Sequence, residues 1–449
     1  MSGVSGQARQ RALIAVVAAL LLGGMALVSL PGEDHDGASG PAQPPGSGAA
    51  RGGVLVEPEA ARTDAITGLL DVRSEALFRR DERAFLGTLD PQADPAFLAA
   101  QRAVFANLAT VPLRDWSYLV RAENQIDVSR FASSAAADDV WAPEIWLSYA
   151  VRGIDEMSTR RTMGYLFVRR GDRWYLRSDQ ELASIGRPTW RGPWDYGPCE
   201  VITTERGVVL FHPGRRPMAE RLAAELDPAV AAVTATVGPD WPRRVGLLLP
   251  DGQEEMRELV GPGFPVDSVV AVSVADRVDT ALRLSEGQRV VLSPAVAEKL
   301  SAPALRIVLR HEMTHIATRS YTVDGSPMWL LEGFADYVGH LDSGIPLGRA
   351  APELASHMLT SGPPSTLPAD EDFRATGDDL ALAYQRSYSL SLFLAERLGE
   401  PKLLQLYRRL AGEGGVTGDR TDAALREVVG LDREELLSAW QEYLREKFY

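Results

Sequence analysis

Residues 311–337 read HEMTHIATRSYTVDGSPMWLLEGFADY, and the fold predicted for the C-terminal half of the chain depends on this segment. His311 and His315 are four residues apart, which on an α-helix places both imidazoles on one face, about one turn apart. Ser301 as N-cap and Pro303 in the first turn predict where this helix begins. The residues before His311 continue the same face with apolar side chains, so we expect the imidazoles to be buried. A bound metal would remove the cost of burying them without partners.

A third metal ligand is predicted on a second helix. Glu332 follows His315 by seventeen residues, and Ser326 and Pro327 are suited to cap and open a helix just before it. The loop 319–325 is long enough to fold this helix back against the first. His311, His315 and Glu332 can then converge on one ion and leave a fourth coordination position open. The competing interpretation is a pair of core histidines whose hydrogen-bonding needs are satisfied without a metal.

Two further carboxylates are suited to support such a site. Glu312 lies one residue round from the ligand face, where it can reach a water at the metal without binding the ion. Asp336 follows Glu332 by one turn and can accept the outer N–H of an imidazole ligand, which fixes its tautomer. His340, one turn further along, is expected at the surface.

The motif His311–His315, together with the stretch Trp329–Tyr337, resembles the gluzincin metallopeptidases, especially the bacterial peptidase MA-like group. The resemblance extends over Glu200–Tyr449 and includes a tyrosine-containing segment at 383–388. It implies a zinc metallopeptidase that acts on proteins or peptides. In this reading His311, His315 and Glu332 bind Zn²⁺ and Glu312 is the general base, while Asp336 orients an imidazole. Tyr384 is the predicted donor to the oxyanion, with Tyr388 as second choice.

The preceding part of the chain, residues 54–185, predicts an α+β domain. Helical periodicity up to residue 108 gives way to strand-like segments, and residues 170–172 turn one strand back into the next. This order of elements resembles the cone-shaped NTF2-like family, which implies a binding or spacing module. Residues 186–199, rich in Pro, Gly and Trp, predict a linker. Residues 200–449 then form the predicted peptidase domain, mostly helical with a small sheet.

The N-terminus predicts attachment to a membrane. Residues 12–30 carry no charge and are long enough to span a bilayer, with Arg9 and Arg11 before them and acidic residues after them. We therefore expect a short cytoplasmic segment (1–11), an uncleaved signal-anchor helix (12–30) and a Gly/Pro-rich tether (31–53), with the folded domains extracytoplasmic. A cleaved signal peptide is the alternative.

The charge and cysteine content of the chain limit which partners and metal ligands it can use. The 449 residues carry a formal net charge of -14, which disfavours binding to the phosphates of nucleic acids. Cys199 is the sole cysteine, so any metal site needs histidine and carboxylate ligands. The oligomeric state is not predicted.

A second functional class stays open at this point. A catalytically idle, peptidase-like binding or scaffolding protein of the cell envelope would keep the zinc fold and act through the first domain. The intact Glu312 favours the peptidase, because loss of that base is the simplest route to inactivity.

Overall fold

The computed structural model describes residues 28–29, 58–128, 130–131, 136–261, 266, 269–414 and 418–449. The chain divides into two compact units. Of the described residues, the N-terminal unit comprises those from Pro58 to Arg152 and from Met157 to Cys199. The C-terminal unit comprises Glu200–Tyr449 together with Gly153–Glu156 and the strand at residues 28–29.

The N-terminal unit begins with helices and continues with antiparallel strands. Its helices are Glu59–Arg79, Glu82–Leu86 and Pro95–Asn107, followed later by the short helix Pro193–Tyr196. One three-stranded sheet pairs Leu113–Arg121, Glu144–Val151 and Thr159–Met163 in that order, and the other pairs Asp139–Trp141, Leu166–Arg170 and Arg173–Ser178. The predicted hairpin is confirmed, with Arg170 opposite Arg173 and Gly171 at a φ of 64° in the turn. The mixed helix-and-sheet class is also confirmed. The predicted NTF2-like cone is not confirmed, because the strands of this unit form two separate sheets.

The segment predicted as a linker, residues 186–199, packs within the N-terminal unit. The ring of Trp190 stacks on Tyr149 with 5.3 Å between centroids, and Trp194 meets Trp116 edge to face at 5.4 Å. Large aromatic contacts of this kind bury much apolar surface. The aromatic residues of this segment therefore serve the core of the unit that precedes them.

The C-terminal unit is built on a six-stranded mixed sheet. Its strands, in spatial order, are Val28–Ser29, Ala271–Ala275, Arg289–Leu292, Val245–Leu249, Gly207–Phe211 and Glu200–Thr203. The pairs 245–249/207–211 and 245–249/289–292 are parallel, whereas 271–275 runs antiparallel to 289–292. The middle strands are buried along their whole length, as their runs of Val and Leu require. A separate two-stranded ribbon joins Arg277–Asp279 to Leu284–Glu286.

Helices make up most of the rest of this unit, and they pack with the sheet in one core. The long ones are Arg216–Val237, Gln253–Val260, Ala302–Thr318, Met328–His340, Pro352–Ser361, Gly377–Leu398, Glu400–Ala411 and Arg433–Phe448. Pro294–Ala297, Leu347–Ala350 and Gly418–Ala424 are short. We name Ala302–Thr318 the ligand helix, Met328–His340 the Glu332 helix, and Gly377–Leu398 the tyrosine helix.

The starts of the two site helices follow the predictions in part. Ser301 caps the ligand helix, its side chain accepting from the amide of Ala304 at 3.4 Å. The predicted cap at Ser326 is wrong. Its hydroxyl donates instead to the carbonyls of Val323 and Ala411, so it ties the preceding loop to another helix. The Glu332 helix begins at Met328, whose amide donates to Asp370 at 2.8 Å.

The predicted membrane anchor needs correction. Within the described residues, no helix is long and apolar enough to cross a membrane. Most of the predicted span 12–30 lies outside the described residues, as do the segments 1–11 and 31–53. Val28–Ser29, inside that span, form a strand paired in parallel with Val274–Ala275, which a helix running to residue 30 does not allow. The predicted single-pass location with extracytoplasmic domains is therefore contradicted.

Glycines allow the site helices to pack closely. A Cβ on Gly333 would lie 2.4 Å from the carbonyl oxygen of Ser387 in the tyrosine helix. On the other side, a Cβ on Gly339 would lie 3.0 Å from the carbonyl oxygen of Ile307 in the ligand helix. The Glu332 helix thus approaches each neighbour at a residue without a side chain.

Replacing Gly333 tests this close approach. We expect Gly333→Ala to lower the free energy of unfolding by about 1–3 kcal/mol, because its methyl group must displace backbone. Chemical denaturation measures the change. Gly68→Ala is the matched control: Gly68 lies inside the helix Glu59–Arg79 with no atom within 4 Å of an added Cβ, so there we expect a small gain in stability. A neutral Gly333→Ala would contradict the packing described.

A buried ion pair makes the short segment Gly153–Glu156 part of the C-terminal unit. Arg289 donates to both carboxylate oxygens of Asp155, at 2.8 and 2.6 Å, and both side chains are almost fully buried. Removing one member of a buried pair leaves the other charge uncompensated.

We therefore expect Asp155→Ala to cost the C-terminal unit about 3–5 kcal/mol in free energy of unfolding. For comparison, Glu446→Gln removes a half-exposed partner of Arg397 and should cost less than about 1 kcal/mol. Urea denaturation of the full chain measures both. Equal costs for the two variants would show that the Asp155 pair is not structurally important.

Candidate metal centre

Three side chains from the ligand helix and the Glu332 helix meet at one point. Nε2 of His311 lies 3.1 Å from Nε2 of His315, and these atoms lie 3.4 and 3.6 Å from Oε2 of Glu332. All three residues are buried, at 0–2% exposure. Within the described residues, this is the group of His, Cys, Asp and Glu side chains placed to hold a metal ion. The structure thus brings together the three residues predicted as ligands.

The spacing of these atoms suits zinc. With Zn–N and Zn–O bonds of about 2.0–2.1 Å and tetrahedral angles, ligand atoms lie about 3.3 Å from one another. The three observed separations, 3.1 to 3.6 Å, bracket that value. One Zn²⁺ can therefore bind all three atoms without a rearrangement of the helices.

Unsatisfied polar atoms support the same conclusion. Among the described residues, neither carboxylate oxygen of Glu332 has a hydrogen-bond partner. Buried polar groups of native proteins are almost always paired, and leaving a carboxylate unpaired is especially costly. A divalent cation would satisfy the Glu332 carboxylate and both imidazoles at once.

Asp336 occupies the predicted position behind His311. Nδ1 of His311 donates to Oδ1 of Asp336 at 2.8 Å, so Nε2 of the neutral ring presents its lone pair to Glu332 and His315. Burial lowers the pKa of His311, but Asp336 and Glu332 outweigh it and raise that pKa to about 10. Burial raises the pKa of Glu332, whereas His315 and His311 lower it to about 2. The carboxylates therefore favour positive charge at this point, which a metal ion supplies in place of a proton.

Glu312 is buried beside these ligands without joining them. The Glu312 side chain is 0% exposed to solvent, and neither of its carboxylate oxygens has a hydrogen-bond partner among the described residues. Burial raises the pKa of Glu312, while His311 and His315 act in the opposite direction. A carboxylate with free lone pairs and a raised pKa is suited to accept a proton.

The predicted tyrosines lie on the tyrosine helix, and both are buried. The ring of Tyr384 meets Phe373 edge to face at 5.2 Å, and its role as oxyanion donor stays a prediction. Tyr388 stacks on His340 with 4.6 Å between centroids. Nδ1 of His340 donates to the backbone carbonyl of Asp336 at 3.0 Å, and His340 is half-buried, whereas a surface position was expected.

Sequence reasoning missed two polar groups in the C-terminal unit. His212, which has no partner at ligand spacing in the sequence, is buried against Glu255, with 3.0 Å between Nε2 and Oε1. Ser273 lines a cavity with His315 although it lies 42 residues before it. Neither contact follows from local spacing, because each joins elements far apart in the chain.

Comparison with known proteins supports the resemblance. Residues 297–446, which hold both site helices and the tyrosine helix, match the family model of the Peptidase MA superfamily. The predicted resemblance to gluzincin-type peptidases is confirmed over this region. No curated protein matches the chain.

Solved structures give weaker likenesses. An M1 zinc metallopeptidase variant from Deinococcus radiodurans, bound to a Tyr-Ser-Ala substrate, is 16% identical, with 54% of this chain and 52% of that chain covered and a TM-score of 0.33. An M1 zinc metallopeptidase variant from the same organism is 14% identical, with coverage of 73% and 61% and a TM-score of 0.34. A two-domain M1 zinc metallopeptidase variant bound to L-arginine is 14% identical, with coverage of 67% and 90% and a TM-score of 0.33. The chain spans about half the length of the first and three fifths of the second. TM-scores this low do not establish a common fold.

Removing the partner of His311 tests the support for the metal site. We expect Asp336→Ala to weaken zinc binding by about 10–100-fold, because the imidazole loses its fixed tautomer and orientation. Competition with a chromophoric chelator measures the affinity. Asp342→Asn, an exposed position shortly after the same helix, should leave the affinity unchanged. Equal affinities for both variants would contradict the role given to Asp336.

Proposed function

We propose that the C-terminal unit is a zinc metallopeptidase whose ligands are His311, His315 and Glu332 and whose general base is Glu312. The observation that carries the proposal is the buried triangle of ligand atoms, with sides of 3.1, 3.4 and 3.6 Å, next to a separate buried carboxylate. The match to the Peptidase MA superfamily over residues 297–446 supports it.

A zinc ion held by these three residues would keep a fourth coordination position free, as catalytic zinc sites do and closed structural ones do not. A zinc ion held there supplies Lewis-acid polarisation of a carbonyl group and makes water acidic near neutral pH. This chemistry suits the hydrolysis of a peptide bond, because an amide carbonyl is a poor electrophile and water a weak nucleophile. The proposed substrates are proteins or peptides, which the match of residues 297–446 to the Peptidase MA superfamily supports.

Glu312 performs the proton transfers in this proposal. Because its oxygens are not engaged by other described side chains, one of them can take a proton from the attacking water. The raised pKa of the buried carboxyl lets the same oxygen keep that proton and deliver it to the leaving amine. Asp336 meanwhile holds His311 in one orientation through the 2.8 Å hydrogen bond to Nδ1.

An oxyanion forms when water adds to the carbonyl carbon, and a hydrogen-bond donor lowers its energy. Tyr384 is the proposed donor. It lies on the tyrosine helix, which packs against the Glu332 helix at the contact between Ser387 and Gly333. Tyr384 therefore belongs to the same helical assembly as the ligands.

A second candidate function is a peptidase-like protein that binds partners without cleaving them. Nothing in the ligand set separates it from an active enzyme. The buried Glu312 favours catalysis, because burying a carboxylate with no ligand role costs stability, and a role in proton transfer would explain why that cost is kept.

Substitution of the base decides between the two functions. We expect Glu312→Gln to keep one zinc per chain and to lose cleavage of an unstructured protein by about 10²–10⁴-fold, because the amide cannot accept the proton. Metal analysis and a casein-cleavage assay measure the two properties. Glu442→Gln, an exposed carboxylate on the last helix, should match the parent in both.

Full cleavage by Glu312→Gln would contradict the proposed mechanism. Stoichiometric zinc in the parent protein without any cleavage would favour the binding protein instead.

A further inference from the structure

The loop 319–327 joins the ligand helix to the Glu332 helix. Because the backbone of a loop has many accessible conformations, it does not by itself fix the separation of the helices that it connects. Oε2 of Glu332 nevertheless lies within 3.6 Å of Nε2 of both histidines. The close approach of Gly339 to Ile307 holds the two helices together at the end away from the loop. The end next to the loop needs a contact of its own.

Tyr407 supplies a contact to the ligand helix at that end. It lies on the helix Glu400–Ala411, which we name the anchor helix, and is 1% exposed. Its hydroxyl donates to Oγ1 of Thr318 at 3.0 Å and lies 3.2 Å from Oγ1 of Thr322. Thr318 is the last residue of the ligand helix, about one turn after His315. The hydrogen bond therefore reaches the ligand helix close to its second histidine.

The ring of the same tyrosine packs on the Glu332 helix. Its centroid lies 4.8 Å from that of Phe334, which is fully buried two residues after Glu332. Aromatic pairs at this distance are favourable beyond the apolar area that they bury. One side chain of the anchor helix thus contacts both helices that carry the proposed zinc ligands.

The anchor helix also holds the loop itself. The carbonyl oxygen of Ala411, at the end of this helix, accepts from the amide of Val323 at 2.8 Å and from the hydroxyl of Ser326 at 2.9 Å. The last carbonyls of a helix have no partner within the helix, so they are available to another segment. The anchor helix is therefore bonded to the ligand helix and to the loop, and packed on the Glu332 helix.

We propose that Tyr407 is a positioning residue, which fixes Glu332 relative to the two histidine ligands before a metal ion binds. This inference rests on the zinc site of the proposed function. Tyr407 is not itself a ligand, and it acts through Thr318 on one helix and Phe334 on the other. A site whose ligands are already in place binds its ion more tightly, because fewer groups have to be ordered on binding.

The competing explanation is that Tyr407 only adds to the stability of the core. The two explanations differ for Tyr407→Phe, which removes the hydroxyl and keeps the ring. The hydroxyls of Thr318 and Thr322 keep their 2.9 Å bonds to the carbonyls of Thr314 and Thr318, so we expect the variant to fold. A residue that only stabilises the core would lower the free energy of unfolding and leave the zinc affinity of the folded chain unchanged.

The first measurement is the zinc affinity of the full chain, by competition with a chromophoric chelator. We expect Tyr407→Phe to weaken zinc binding by about 3–10-fold, less than the loss of a direct partner of a ligand, because the helices lose one of the contacts that order them. Tyr443→Phe is the matched control, since Tyr443 is equally buried and its ring packs on Phe393 of the tyrosine helix. Its zinc affinity should equal that of the parent.

A double-mutant cycle tests whether Tyr407 acts through Glu332. In a Glu332→Ala background, where the two histidines remain to bind the ion, we expect Tyr407→Phe to have no further effect on zinc affinity. An equal loss in both backgrounds would contradict the inference, because Tyr407 would then act independently of Glu332.

Parental zinc affinity in Tyr407→Phe would overturn the inference and leave the proposed function standing. Zinc in the parent without cleavage would defeat the proposed peptidase, while the affinities would still decide the role of Tyr407. Amide hydrogen exchange of the metal-free chain gives a readout independent of zinc. Tyr407→Phe should speed exchange at the amide of Val323 and in the first turn of the Glu332 helix, whereas Tyr443→Phe should not. If the parent binds no zinc, the proposed function fails, and unchanged exchange in Tyr407→Phe would also sink the inference.

Discussion

The contact between the ligand helix and the Glu332 helix is the constraint on which the site depends. Three ligand atoms must lie within 3.6 Å of one another, although Glu332 reaches them from a separate helix. Gly339 permits this approach by leaving no side chain against the carbonyl of Ile307. On the opposite side, Gly333 lets the tyrosine helix pack equally close. The close packing of these helices therefore sets the spacing that the three proposed zinc ligands need.

Electrostatics add a second requirement, because the site buries several ionisable groups together. Glu312, Glu332 and Asp336 supply three carboxylates around two imidazoles, all at 5% exposure or less. Without a cation, this arrangement leaves the oxygens of Glu332 unsatisfied. Because a cation would satisfy these oxygens only in the folded chain, we expect metal binding to increase the stability of the fold. The same burial raises the pKa of Glu312, the proposed general base.

Local spacing predicts the centre of the site well and its periphery poorly. The positions of His311 and His315 follow from helical periodicity, and Asp336 follows from one turn beyond Glu332. Ser273, Asp155 and the pairing of His212 with Glu255 could not be predicted, because these contacts join segments 42 to 134 residues apart. The cap at Ser326 failed for a related reason: a tertiary carbonyl, that of Ala411, competes for its hydroxyl.

The central claim is that one zinc ion binds between His311, His315 and Glu332. Anomalous diffraction from crystals of the full chain, collected on both sides of the zinc absorption edge, tests it most directly. A zinc ion at this point should give one strong anomalous peak about 2.0–2.1 Å from Nε2 of each histidine and from a carboxylate oxygen of Glu332. A chain that crystallises from zinc-containing solution with no peak there, or with its peak on other residues, would contradict it.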